Sequence, residues 1–194
     1  MAIGRPTEFD RQAALEKSID LFWKNGYEAT SLTALIREMG IGRQSLYNTF
    51  GDKHSLFVEA VEHYISQNGQ HLLGQLEAPG SPLSNIRKTL EQIVEFVTGG
   101  DCRGCLVTNS IVELAPHDEE VGKIVQSMVN RLEKALRVAL DRAVDAGEIS
   151  ANADTRALAR FFNNTVHGLV VLGKTSASKA ALKDVVKIAL TTLK

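Results

Sequence analysis

The chain reads as an all-α protein of about nine helices, and three observations lead there. Apolar residues recur at three- and four-residue spacing along almost every segment, which is the spacing of one helix face. Glycine or proline marks the ends of those segments, and no stretch alternates apolar and polar residues between hairpin turns. The composition agrees: of 194 residues, 44% are hydrophobic and 23% charged, with only 4 prolines, inside the globular range. A chain this long can bury roughly 70% of its unfolded surface, so a sizeable core needs no disulfide staples.

The first helix is expected over 8–25, with Leu15, Ile19, Phe22 and Trp23 on one face and Gly26 as its stop. Ser31 caps a short second helix whose inner face is Leu32, Leu35, Ile36 and Met39, and Gly40 ends it. A third short helix, 43–49, is anchored by Leu46, with Phe50 just beyond, and Gly51 breaks it. Asp52 then caps a longer fourth helix running through Phe57, Val61, Tyr64 and Ile65 toward Leu76. Ala78-Pro79-Gly80-Ser81-Pro82 is the clearest break in the chain. Ser81 as cap, with Pro82 at the first helical position, opens a fifth helix that closes near Thr98 before Gly99-Gly100. A sixth spans Gly104 to Leu114, and Asp118 opens a long seventh to Ala146. Asp154 or Thr155 opens an apolar eighth to Leu172, and Ser178 opens the ninth.

Charge alone excludes little. The net charge is -1, and within the first 53 residues seven Lys and Arg are balanced by seven Asp and Glu. A nucleic-acid reading must therefore rest on where charges sit, not on their sum. Two cysteines are too few for a disulfide scaffold, and no signal segment opens the chain, so a cytoplasmic setting is expected. No apolar run reaches the ~20 residues of a membrane span. Nucleophile–base arrangements, metal-ligand motifs and phosphate-cradling glycine loops are lacking too, so no enzyme, cofactor or metal site is expected.

The informative stretch is 30–53. Two short helices meet at a tight turn around Gly40, with Ala34, Met39, Ile41 and Leu46 placed to pack between them. That is a helix-turn-helix layout, whose second helix enters the major groove. Its outward residues would be Arg43, Gln44, Ser45, Tyr47, Asn48 and Thr49, donor- and acceptor-rich types suited to base edges. On spacing alone, a helical hairpin with a solvated polar face fits equally well.

The run Ile41-Gly-Arg-Gln-Ser-Leu-Tyr-Asn-Thr-Phe-Gly-Asp-Lys53 resembles the DNA-binding signature of the TetR/AcrR family of bacterial transcriptional regulators. Leu21-Phe22-Trp23-Lys24-Asn25-Gly26-Tyr27-Glu28-Ala29-Thr30 is similar to the same pattern, an aromatic-rich helix ending at a Gly-Tyr-x-x-Thr turn. The resemblance covers about the first third of the chain, and beyond it rests on helix layout. It implies a reading head over 1–53, a connecting helix over about 52–77, and a ligand-binding and dimerisation bundle over 54–194. Tyr47 and Lys53 would touch phosphates, as would Thr30 through its hydroxyl or backbone, while Arg43, Gln44, Asn48 and Thr49 would read bases. For Arg5 and Arg37 a solvated charge and a backbone contact are equally plausible.

The resemblance further implies a homodimer through the last two helices, on a double-stranded, palindromic operator. Leu182, Val185, Leu190 and Leu193 on one helix and Phe161, Val166, Leu169 and Leu172 on the other are the candidate interface, unless each stripe serves its own core. A small-molecule effector would lie among helices five to eight. Its expected lining is Ile93, Phe96, Val97, Cys105, Val107, Ser110, Glu113, Phe161 and Asn164. The fourth helix would be the only element linking that pocket to the head. Cys102-Arg-Gly-Cys105 lacks the further ligands that zinc needs. Cys105 is therefore either a reactive thiol, giving an electrophile- or oxidant-sensing repressor, or a small buried hydrophobe. A helical interaction protein without DNA binding is the alternative from another class.

Overall fold

The computed structural model describes residues 9–100, 103–175 and 177–193. Arg5 and Cys102 lie outside them. Among the described residues every regular element is helical: α1 (Arg11–Asn25), α2 (Leu32–Met39), α3 (Arg43–Phe50), a compound α4, α5 (Pro82–Thr98), α6 (Leu106–Glu113), α7 (Glu119–Asp145), α8 (Thr155–Gly173) and α9 (Lys179–Thr191). α4 consists of Lys53–Tyr64, a π-helical turn Ile65–Gly69, and Gln70–Glu77.

The caps form where short polar side chains stand before apolar runs. Ser31 accepts from the Ala34 N–H at 3.1 Å and Asp52 from the Ser55 N–H at 2.7 Å. Ser81, Asp118, Asp154 and Ser178 do the same for α5, α7, α8 and α9. Each such cap satisfies one backbone donor that the helix itself leaves unpaired. α1 begins later than its periodicity suggests because Asp10 takes the cap, accepting from Gln12 and Ala13. α6 begins later too: Gly104 has φ 69°, which holds it out of the helix. Gly40 ends α2 in the left-handed region at φ 71°, the turn on which the helix-turn-helix depends.

Two apolar cores result. One joins α1–α3 and the first half of α4 to Leu106, Leu114 and Val125 of the bundle, around Phe22, Leu46 and Phe57. The other joins the far half of α4 to α5, α7, α8 and α9, around Leu90, Leu136 and Phe162. α7 lies along α8, with α5 against both and α9 against α5. The π turn falls where α4 passes from one core to the other. There Gly69 packs so tightly on α7 that an added Cβ would meet the Met128 side chain at 3.1 Å.

The C-terminal stripes divide differently from the sequence expectation. Leu182, Leu193, Val166 and Leu169 are buried in the chain's own core. The apolar side chains left outward are Phe161, Val171 and Leu172 on α8 and Val185 and Ile188 on α9. Because both helices are apolar over more than half their circumference, periodicity could not assign the faces.

Candidate nucleic-acid interface and adjoining cavity

α3 carries no carboxylate, so the neutral charge of the whole head does not extend to this helix. Leu46 and Phe50 are buried and fix its inner side. Arg43, Gln44, Tyr47 and Asn48 are exposed on the other side, with Ser45 and Thr49 half-buried at its edges. Gln44 Nε2 donates to Asn48 Oδ1 at 2.9 Å. That bond aligns two amides one turn apart on the outward side of the helix. The Arg43 guanidinium lies 6.0 Å from the Tyr47 ring centre. Lys53 opens α4 with Nζ 4.2 Å above the Tyr27 ring, which stations its charge beside the foot of α3.

Thr30 is placed otherwise. Its side chain is fully buried, its hydroxyl donates to the Gly26 carbonyl at 2.6 Å and its N–H donates to Tyr27. The hydroxyl and the N–H that a phosphate would need are thus both engaged in holding the α1–α2 turn. Arg37 is exposed on α2. Arg11, unremarked in the sequence, pairs with Glu59 and covers the Phe50 ring at 4.9 Å, bracing α1 against α3 and α4.

The bundle holds a cavity of about 460 Å³ between α4, α5, α6, α7 and α8. Of the lining expected from sequence, Ile93, Phe96, Cys105 and Val107 are on its wall. Five expected residues are not. Val97 is buried against Gly173, where an added Cβ would meet the valine at 2.5 Å. Ser110 turns its hydroxyl onto the Leu106 carbonyl. Phe161 and Asn164 are exposed on the outer face of α8. Glu113 reaches the head instead, its carboxylate accepting from the Tyr27 N–H at 3.0 Å and the Glu28 N–H at 2.9 Å.

Residues outside that expected lining complete the wall. Among them are Tyr64 and Ile65 of α4, Thr108 of α6, Met128 and Leu132 of α7, and His167 of α8. His167 was the one with a signal, a histidine on an otherwise apolar helix. Its Nδ1 meets the Thr108 hydroxyl at 3.1 Å, and its Nε2 is buried without a hydrogen-bond partner. Burial holds the imidazole below its ordinary pKa. Burial likewise pushes the Tyr64 phenol up, beside the Cys105 thiol and the Leu106 N–H.

α4 is not the only route from cavity to head. α6 starts on the cavity wall at Cys105, Val107 and Thr108 and ends at Glu113, on the head's α1–α2 turn. The loop before it is also tied to α1, by the Trp23 indole N–H to the Gly104 carbonyl at 3.1 Å and by Arg103 to Asp20 at 2.9 Å. His54 at the foot of α4 meets Asp118, the cap of α7, at 2.7 Å. These contacts escaped the sequence because each joins residues more than sixty positions apart. Replacing Glu113 by alanine is expected to cost about 1–3 kcal/mol, since it strips two backbone donors of their acceptor. Thermal unfolding followed by circular dichroism should show it, at roughly 2–4 °C per kcal/mol for a chain of this size. An unchanged midpoint would mean that water replaces the carboxylate at no cost.

Comparison with known proteins gives the same picture. The model of the C-terminal domain described as tetracyclin repressor-like matches residues 82–189, and that of bacterial regulatory proteins of the tetR family matches residues 14–60. The uncharacterized HTH-type transcriptional regulator YezE of Bacillus subtilis is 36% identical over 98% of this chain and 100% of its own length. The HTH-type transcriptional repressor ComR of Escherichia coli is 32% identical over 98% of this chain and 90% of its own. Among solved structures, a cysteine mutant of the regulator CifR complexed with 26 bp operator DNA superposes with a TM-score of 0.88. It shares 33% identity over 98% of this chain and 100% of that one. With helix-turn-helix, bundle and full-length similarity in agreement, the chain belongs to the TetR family of DNA-binding transcriptional regulators.

Proposed function

We propose that the chain is a homodimeric repressor that leaves a palindromic operator when a small molecule enters the bundle cavity. The observation that carries this reading is the cavity's position: its walls are the elements whose other ends hold the head. Arg43, Gln44, Asn48 and Thr49 read bases, while Tyr47 and Lys53 contact phosphates. Two heads must then lie about 34–36 Å apart to meet successive major grooves. A ligand shifts that spacing only as far as it prefers one arrangement of α4 and α6 over another, and a coupling of about 5–150-fold is usual.

The experiment is operator binding by fluorescence anisotropy on DNA from the chain's own upstream region. Lys53→Ala should weaken binding to all sequences and reduce the salt slope by about two, one for each head of the dimer. Arg43→Ala should cost about 1–3 kcal/mol at particular base pairs and relax preference there. A Lys53→Ala variant with unaltered affinity and salt slope would remove the phosphate assignment. Absence of any operator shift for the wild type would count against an operator in that upstream DNA.

A second reading has its own observation. The Cys105 thiol sits on the cavity wall at the cap of α6, so a reactive effector could bond to it and act on the same helix. Release by an electrophile that is lost in Cys105→Ser, with release by a reversible ligand kept, would select the thiol route.

A further inference from the structure

Resting on the reading of the cavity as an effector site, we infer that it selects an uncharged, mainly apolar alcohol whose hydroxyl is bonded by His167. Its volume of about 460 Å³ is in the range of small-molecule sites. Half of the lining residues are aliphatic, Ile65, Ile93, Val107, Met128 and Val166 among them. Among the described residues that line it, none is Lys, Arg, Asp or Glu. The wall's other histidine, His71, is exposed, so an ion that passes it into the buried part leaves water with no Lys, Arg, Asp or Glu to meet it, and that loss is far larger than any neutral ligand bears.

Of the wall's polar side chains, Asn68, His71 and Gln92 are exposed, which leaves Thr108 and His167 as the pair inside. Thr108, itself buried on α6, meets His167 Nδ1, and so turns Nε2 to the remaining side of the ring, where protein atoms cover it without supplying a partner; a hydroxyl reaches it when the side chains over it part. Because burial disfavours the imidazolium, His167 brings no positive charge to balance a carboxylate. Depending on the tautomer, Nε2 carries either a proton or a lone pair. A hydroxyl, which both donates and accepts, completes either form, whereas an ether or ester completes only one. The bond also ties the ligand to α8 and, through Thr108, to α6, the helix that ends on the head.

The protein carries its own reporter. Its single tryptophan, Trp23, stacks on Phe96 with ring centres 6.0 Å apart and meets Tyr64 edge-on at 5.1 Å, and both partners line the cavity. The test titrates the full-length protein, without DNA, with 1-octanol, octanoate and octylammonium, which share one chain and absorb nothing where tryptophan emits. Octanol should change Trp23 emission and bind at least tenfold more tightly than either ion. His167→Phe, which keeps the ring volume and removes both nitrogens, should bind octanol about tenfold more weakly, the worth of one recovered hydrogen bond. His167→Gln, neutral and polar, should restore most of the loss, and unchanged operator binding by both variants would show that they fold.

Octanoate or octylammonium binding as tightly as octanol would overturn the inference. So would octanol affinity indifferent to His167→Phe, or no octanol binding up to its solubility limit. Octanol that binds through His167 but leaves operator affinity unchanged would support the ligand class and count against release from the operator. The two readings can thus fail separately.

Discussion

Ile188→Glu is expected to produce a monomer that has lost about 100–10,000-fold in operator affinity while keeping its fold. Ile188 is 67% exposed, and the other outward apolar side chains of the last two helices are Val185 on α9 and Phe161, Val171 and Leu172 on α8, all at least 40% exposed. Gly168 stands in the same row on α8, with open space where a side chain would be. Such a row lets a second copy's backbone approach closely and bury a continuous apolar surface. A carboxylate at its centre would have to be desolvated in the dimer but remains in water in the monomer. Since the side chain touches no core of its own, the far-ultraviolet spectrum should not change. Light scattering should report about 21.1 kDa in place of twice that mass. Affinity falls because the second head no longer binds as a tethered neighbour. Binding to a single half-site should be unaltered. A variant that remained dimeric would move the interface to another face.

The other large effect is on stability. Phe22→Ala should cost about 3–5 kcal/mol, or roughly 6–20 °C in unfolding midpoint. Phe22 is fully buried, meets Phe57 edge-on at 5.0 Å and stacks on Tyr27 at 6.2 Å. It is thus the junction between α1, α4 and the turn that Glu113 holds. Leu15, only 2% exposed on the same helix, lacks those ring contacts. Its alanine variant should fall at the lower end of the range of about 2–5 kcal/mol for a buried leucine. Calorimetry on both variants checks the ranking. A Phe22→Ala cost below that of Leu15→Ala would show that the aromatic cluster contributes little beyond area.

How far the fold could be read in advance follows from the range of the forces involved. Ser31, Gly40, Asp52 and the Ser81-Pro82 pair act within one helical turn, so the residues themselves announce the boundaries they make. Leu46 and the polar residues around it were legible for the same reason. Thr30 gave no such notice, because a hydroxyl bonded to the Gly26 carbonyl and one facing DNA look alike in sequence. Glu113 was assigned to the pocket because a carboxylate on an apolar helix signals something, and the two N–H groups it holds lie 85 and 86 positions away. The Thr108–His167 contact spans 59 positions. The π turn had no marker at all, since no proline interrupts α4; what accompanies it is the close passage of Gly69 over Met128 on another helix.

That turn gives α4 the mechanics of a lever. The segment from Lys53 to Tyr64 has 12 residues, which at ~1.5 Å per residue makes an arm of about 18 Å. A bend of about 10° at the turn would carry the Lys53 end through about 3 Å, the length of one hydrogen bond. In a two-headed assembly with opposed arms the displacements add, to about 6 Å against a groove repeat of ~34 Å. The pivot itself is part of the cavity wall, through Ile65 and Gly69. On the proposed reading, an occupant that changed the angle at this turn would move the Lys53 end farthest.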